Sequence, residues 1–141
     1  MEAFPDPIQF APDDRDVPFE DPEKYISWLH EVAKEEGKSI AQICYTFCSD
    51  ERLLEINKTH LNHDYYTDII TFPYAYEQIE SDIFISVERV LENAKTLQIS
   101  ETDELKRVIV HGLLHMCGYE DASEEQKEIM REKETYYLNK F

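Results

Sequence analysis

The segment His111–Asp121 constrains this chain most, because its spacing requires a helix that ends in a sharp turn. Apolar residues before it recur at helical spacing, so His111 and His115 lie four positions apart on one helix face. Two helical histidines at this separation can share one divalent ion. Gly118 follows where the helix must end and the backbone needs a left-handed residue. The turn then carries Asp121 back towards the ion.

The pattern H-x-x-x-H-x-x-G-x-x-D has the spacing of a metzincin zinc helix, with aspartate in place of the third histidine. In zinc proteases of this type, the residue after the first histidine is a glutamate that acts as general base. Here that residue is Gly112, which cannot accept a proton from water. The sequence therefore predicts a zinc site formed by His111, His115 and Asp121, and it disfavours a peptidase of that mechanism.

A chance pair of histidines on an amphipathic helix is the alternative interpretation. Two of the three glycines in the chain, Gly112 and Gly118, lie inside this one segment. Gly112 falls in the middle of the expected helix, where glycine costs about 1 kcal/mol relative to alanine. This concentration of glycine favours the metal site over coincidence.

Composition indicates one globular domain spanning residues 1–141, without a membrane span. The chain is 42% hydrophobic, and no run of residues approaches the roughly 20 apolar residues that cross a bilayer. The amino terminus lacks the basic start and apolar stretch of a secretory signal, so a cytoplasmic protein is expected. Cys44, Cys48 and Cys117 are expected to be reduced. We expect Cys117 to pack in the core, although a fourth metal ligand is the alternative role.

The formal charge of −17 argues against a protein that binds nucleic acid through a broad basic surface. It does not exclude a nuclease, because a divalent cation supplies positive charge where a scissile phosphate must lie.

The order of the predicted elements is β-α-β-α-β-β-α-α-α. This order predicts an α+β fold, a small mixed sheet of about four strands packed with about five helices, one of them a zincin-like metal helix. Asp50 is expected to cap a short second helix over residues 51–57, and Pro73 with the polar pair 77–78 suits a turn between the last two strands. In the last helix, Ile129, Met130 and Tyr137 are expected to pack onto the core.

Three blocks of the sequence resemble the YbeY family, the metal-dependent endoribonucleases of ribosomal RNA maturation. The family's H-G-x-L-H-x-x-G-Y-x-H motif is matched from His111 to Tyr119, with Asp121 in the place of the last histidine. Its T-D-V-L-S-F-P strand resembles residues 67–73, and its G-D-I strand resembles residues 81–83. The resemblance extends from about Ile43 to Met130.

The resemblance implies a metal-dependent endoribonuclease specific for single-stranded RNA. It further implies a role in 16S rRNA 3′ end processing and in ribosome quality control, with ribosomal RNA and the ribosome as partners. It implies one zinc ion per chain, bound by His111, His115 and Asp121, although other divalent transition metals can be accepted. An aspartate ligand should lower the net charge and the Lewis acidity of the site.

A second departure from the family concerns substrate binding. The arginine that the family places ahead of its T-D strand falls on Leu61, so His60 and His63 are the candidates to replace it in phosphate contact. Asp68 is a further candidate for substrate contact. Two alternatives remain open: a hydrolase of another phosphate or amide bond, and a non-catalytic ribosome-assembly protein in which the metal is structural.

Overall fold

The computed structural model describes residues 6–141 and has the predicted α+β fold. The described strands form one mixed sheet, and the described helices cover both of its faces. The strands are β1 (Ile8–Pro12), β2 (Ser39–Cys48), β3 (Ile69–Ala75) and β4 (Gln78–Ser86), and the helices are α1 (Pro22–Glu35), α2 (Asp50–Leu61), α3 (Val87–Leu97), α4 (Glu101–Met116) and α5 (Glu124–Leu138).

The strands lie in the order β1-β2-β4-β3. β1 pairs with β2 and β2 with β4 in parallel, whereas β3 runs antiparallel to β4 and forms an edge. Alternate residues of β2, Ile43, Tyr45 and Phe47, are buried in the main core with side chains of α1, α4 and α5. The other face is covered by α2, where Leu53 packs in a smaller cluster with Ile70 of β3.

Helix α4 crosses close over the edge of the sheet at Gly112. A Cβ atom at this position would lie 3.1 Å from the Cδ1 atoms of both Ile69 and Ile83. The hydroxyl of Tyr45 donates to the carbonyl of Ile109 over 2.9 Å and joins the same helix to β2. The glycine in mid-helix therefore allows close packing between the helix that carries the histidines and the β3–β4 pair.

The predicted second helix had the wrong cap and ended too early. The second helix is capped by Ser49, whose hydroxyl accepts from the amide of Arg52, and it continues to Leu61 before Asn62 turns left-handed with φ 56°. The turn between β3 and β4 falls on residues 76–77, which overlaps the predicted pair 77–78, and β4 already begins at residue 78. Pro73 lies within β3, next to a register shift, where an edge strand tolerates a missing amide donor.

The packing predictions for the last helix were partly correct, and the prediction for Cys117 was correct. Met130 and Tyr137 are buried, but Ile129 is exposed. Cys48 is buried and Cys44 half-buried, and Cys117 packs against the main core as expected; all three thiols are free. Among the helices of residues 6–141, none is long and apolar enough to cross a membrane.

Candidate metal centre

The structure brings His111, His115 and Asp121 together at the end of α4. The two Nε2 atoms lie 2.9 Å apart, and Oδ2 of Asp121 lies 3.3 Å from Nε2 of His111 and 3.6 Å from Nε2 of His115. Their side chains are 14%, 28% and 45% exposed, in that order along the chain. The group is therefore anchored on its histidine side and open to solvent beside Asp121.

The turn that returns Asp121 to the histidines depends on Gly118. Its φ is +105°, a conformation that residues with a Cβ atom rarely adopt. The amides of Gly118 and Tyr119 donate to the carbonyls of His115 and Leu114, both over 3.1 Å, and so satisfy the last turn of α4. The predicted left-handed turn at this position is confirmed.

Acceptors at the opposite ring nitrogens fix the protonation of both imidazoles. Nδ1 of His111 lies 2.5 Å from a carboxylate oxygen of Glu134, and Nδ1 of His115 lies 2.9 Å from the carbonyl oxygen of Tyr119. A carboxylate and a carbonyl can only accept, so each neutral ring carries its proton on Nδ1 and its lone pair on Nε2. The lone pairs of the two histidines therefore point into one small space.

This donor set fits a divalent transition metal. Two lone pairs that face each other at 2.9 Å repel, unless a cation lies between them. Ligands about 2.0–2.1 Å from a tetrahedral zinc ion are roughly 3.3 Å from one another. The distances of 3.3 and 3.6 Å to Asp121 are close to that spacing, and the distance between the histidines is slightly shorter.

A buried charge network holds Glu134 behind His111. The guanidinium of Arg107 donates to both carboxylate oxygens of Glu104, over 2.7 and 2.5 Å, and to Glu134 over 3.3 Å. Both glutamates are buried. Hydrogen bonding to Glu104 is the main cause that raises the pKa of Arg107 above its ordinary value. The permanently charged guanidinium thus offsets the free-energy cost of burying two ionised carboxylates.

Sequence reasoning missed this network. The sequence signal was Arg107 three positions after Glu104 on a helix, a spacing that allows a side-chain pair. Nothing local identified Glu134, which lies 23 positions from His111 on another helix. A polar residue amid the buried positions of α5 is the only sign of it in the sequence.

Tyr119 is tied to a second cluster centred on Glu36. Its hydroxyl donates to Glu36 over 2.7 Å, the hydroxyl of Tyr137 donates to the same carboxylate, and Lys133 reaches it over 3.1 Å. Burial acts to raise the pKa of Glu36, but hydrogen bonds from Tyr137, Tyr119 and Lys133 outweigh it and lower the pKa. Because the carbonyl of Tyr119 holds His115, this cluster also supports the orientation of the second histidine.

Asp68 lies next to the network of Arg107. Its carboxylate is 3.9 Å from the guanidinium and accepts from the amide of Asn93 over 3.3 Å. Burial raises the pKa of Asp68, and the charges of Arg107 and His111 partly offset that effect. Asp68 therefore lies beside the charge network that holds His111.

His60, in the last turn of α2, and His63, just after that helix, are not among the three converging donors of residues 6–141. The edge of the His60 ring packs against Phe72, and the ring of His63 stacks on Tyr65. Phe72 belongs to the small cluster under α2, on the opposite face of β3 from Thr71, which borders the same groove as His115. Of the three predicted substrate contacts, Asp68 lies beside the network that holds His111, and His60 packs on the α2 side of β3.

The surroundings of His115 favour the neutral form of its ring. Burial, and next the neighbouring His111, lower the pKa of His115 below its ordinary value, whereas Asp121 acts in the opposite direction. A lowered pKa leaves the ring neutral at physiological pH, the form that a metal requires. Cys117 is not among the three converging donors in residues 6–141.

Comparison with known proteins gives consistent matches. The model of the family described as endoribonuclease YbeY matches residues 8–141. Among the relatives named endoribonuclease YbeY, that of Flavobacterium psychrophilum is 48% identical over 118 residues, covering 83% of this chain and 84% of the relative. That of Cytophaga hutchinsonii is 50% identical over 115 residues, covering 80% of each. The solution structure of TM1509 from Thermotoga maritima aligns with a TM-score of 0.71 at 26% identity, over 94% of this chain and 87% of that one.

Proposed function

The chain belongs to the YbeY endoribonuclease family, and from that premise we propose that it is a metal-dependent endoribonuclease that cuts single-stranded RNA. We further propose that it acts in rRNA maturation, at the 3′ end of 16S rRNA, and in ribosome quality control. The ribosome is then its partner and the cytoplasm its place of action. These finer statements rest on the family resemblance.

The convergence of three donors is the observation that carries the metal dependence. His111 and His115 present Nε2 lone pairs, and Asp121 adds a carboxylate from the turn. We propose one zinc ion per chain, with other divalent transition metals as substitutes. A divalent ion held here would supply positive charge for a phosphate oxygen and would lower the pKa of water.

The residues of the chain prepare this site before substrate arrives. Glu134 and the carbonyl of Tyr119 fix the two rings, so little reorganisation is needed when a cation binds. Asp121 contributes one negative charge where a third histidine would contribute none, so the centre keeps less positive charge for the phosphate. The side chain of Asp121 is the most exposed of the three, which supports RNA access from that direction.

A cleavage assay tests the proposal. Protein purified without a histidine tag and loaded with zinc should cut a single-stranded RNA taken from the 3′ end of 16S rRNA. His111→Ala should lose this cleavage, while Glu132→Gln, which changes an exposed acid on α5, should retain it. Small phosphodiester and peptide substrates, measured in parallel, separate an RNA nuclease from a hydrolase of another bond.

Two outcomes would overturn the proposal. Intact RNA with the zinc-loaded wild type would do so, and so would equal cleavage by His111→Ala. Ribosome association without cleavage would favour the assembly protein with a structural metal.

A further inference from the structure

A groove of about 460 Å³ lies beside the metal centre, between the end of α4 and the β3–β4 turn. His115 borders both the groove and the metal centre. One wall comes from the turn after α4 and the other from β3. The lining includes Thr71, Pro73, Tyr76, Tyr119 and Glu120.

Tyr76 lines this groove and has an exposed side chain. It lies in the β3–β4 turn and is 52% exposed. Within residues 6–141, its ring stacks on no other aromatic side chain, and its hydroxyl forms no side-chain hydrogen bond. A large ring left exposed beside a reactive centre is available for a ligand.

Tyr74 differs from Tyr76 although it is two positions away and 65% exposed. The hydroxyl of Tyr74 donates to Asp82 over 2.8 Å, and Tyr74 does not border the groove. Asp82 lies on the same face of β4 as Phe84 of the small cluster, so this hydrogen bond holds Tyr74 on the α2 side of the sheet, away from His115. The chain thus contains an internal control for an exposed tyrosine in the same hairpin.

The lining selects against phosphate as the occupant. Among the described residues that border the groove, none is lysine or arginine, and Glu120 adds a carboxylate. The whole chain carries a formal charge of −17. A phosphate would be repelled here, whereas a flat, neutral ring could stack on Tyr76 and against Pro73. Bases of single-stranded RNA have this chemistry, and stacking on aromatic side chains is how many proteins hold them.

We propose that the groove is a base-binding subsite, in which one unpaired RNA base stacks on Tyr76 while an adjacent phosphate reaches the metal centre. This inference rests on the proposed function and deepens it. A base held inside a duplex cannot enter the groove, so the subsite selects single-stranded RNA. Stacking here also compensates for the small number of phosphate contacts that such an acidic protein can form.

Equilibrium binding to zinc-loaded protein tests the proposal. The probe is a fluorescein-labelled, nuclease-resistant 2′-O-methyl RNA octamer of adenines, read by anisotropy. Loss of one base–aromatic stack in Tyr76→Ala should weaken binding by about 5- to 150-fold. Tyr76→Phe and Tyr74→Ala should bind as the wild type does, because both variants keep an aromatic ring at position 76.

Octamers with one abasic residue, moved through each position in turn, distinguish stacking from a general structural effect. At the position that occupies the groove, removal of the base should weaken binding to the wild type and leave Tyr76→Ala unaffected. The proposal is overturned if Tyr76→Ala binds as the wild type does, or if every abasic octamer loses affinity equally for both proteins.

Cleavage of unmodified RNA is measured on the same samples. Equal cleavage of RNA by the wild type and Tyr76→Ala refutes only the subsite. A wild type that neither binds nor cuts RNA refutes the proposed function as well.

Discussion

Nδ1 of His111 lies 2.5 Å from Oε2 of Glu134, so a carboxylate from α5 holds the first of the two histidine rings of α4. Glu134 is itself held by Arg107, which also neutralises the buried Glu104. The last helix therefore does more than cover the core. It fixes the proton on Nδ1 of His111 and leaves Nε2 free for a metal.

Glu134→Gln should weaken metal binding by about 10- to 100-fold, the usual effect of losing a carboxylate partner of a ligating histidine. The amide keeps the shape of the side chain but lacks the charge that favours the Nδ1 proton. Competition with a chromophoric chelator measures the affinity. Glu132→Gln, on the exposed face of the same helix, serves as the control and should match the wild type. Wild-type affinity in Glu134→Gln would show that the contact does not tune the metal.

Gly118→Ala should destabilise the protein by about 1–2 kcal/mol and also reduce metal binding. Alanine is strained at φ +105°, and relief of the strain would displace the turn that carries Asp121. Gly37→Ala is the matched variant, because Gly37 also has a positive φ, of 74°. Denaturant unfolding should show a loss in both variants, whereas metal content should fall only in Gly118→Ala. A fall in both would mean that strain anywhere in the chain impairs the centre.

Replacing Asp121 should change which metals the site accepts. Asp121→His restores the ligand type of the family motif and should raise the preference for zinc over manganese, because imidazole suits zinc and a carboxylate suits manganese. Asp121→Asn removes the charge and should weaken binding of both ions. Competition between zinc and manganese, measured on all three proteins, gives the ratio. An unchanged ratio in Asp121→His would contradict a direct role for this carboxylate.

The stability of the metal-free protein should fall as the pH drops below about 6.5, the ordinary pKa of histidine. Burial and the neighbouring His111 lower the pKa of His115 in the folded state. Between that lowered pKa and about 6.5, the unfolded chain binds the proton that the folded chain resists, so acid favours unfolding. Urea unfolding in a chelator, at about pH 7.5 and about pH 5.5, measures the effect. His115→Gln should show a smaller loss over this interval, and an equal loss would assign it to other groups.

The three donors could be predicted because their arrangement is local. A helix places His111 and His115 on one face, and a glycine turn returns Asp121, so spacing alone carries the geometry. Glu134 could not be found in this way. Its contact with His111 depends on how α5 packs on α4, and the sequence around it resembles the other acidic positions of an exposed helix.

The fold was predictable to a similar extent. Strand and helix positions followed from periodicity, and the α+β class followed from their order. The end of α2 was missed because it depends on a left-handed conformation at Asn62. Asparagine tolerates this conformation but does not require it, so the residue type alone does not predict a helix end. The turn between β3 and β4 was predicted at the polar pair 77–78 and lies one residue earlier, at 76–77. Pro73 lies within β3, because the edge position of that strand accommodates proline.

Metal content per chain shows whether these three side chains bind an ion. Elemental analysis is done after zinc reconstitution on the wild type, His115→Ala and Asp121→Ala, all without a histidine tag. We expect about one zinc ion per wild-type chain and far less in both variants, because the site has three protein ligands. A wild type without metal, or variants that retain a full equivalent, would contradict the assignment of His111, His115 and Asp121 as the metal centre.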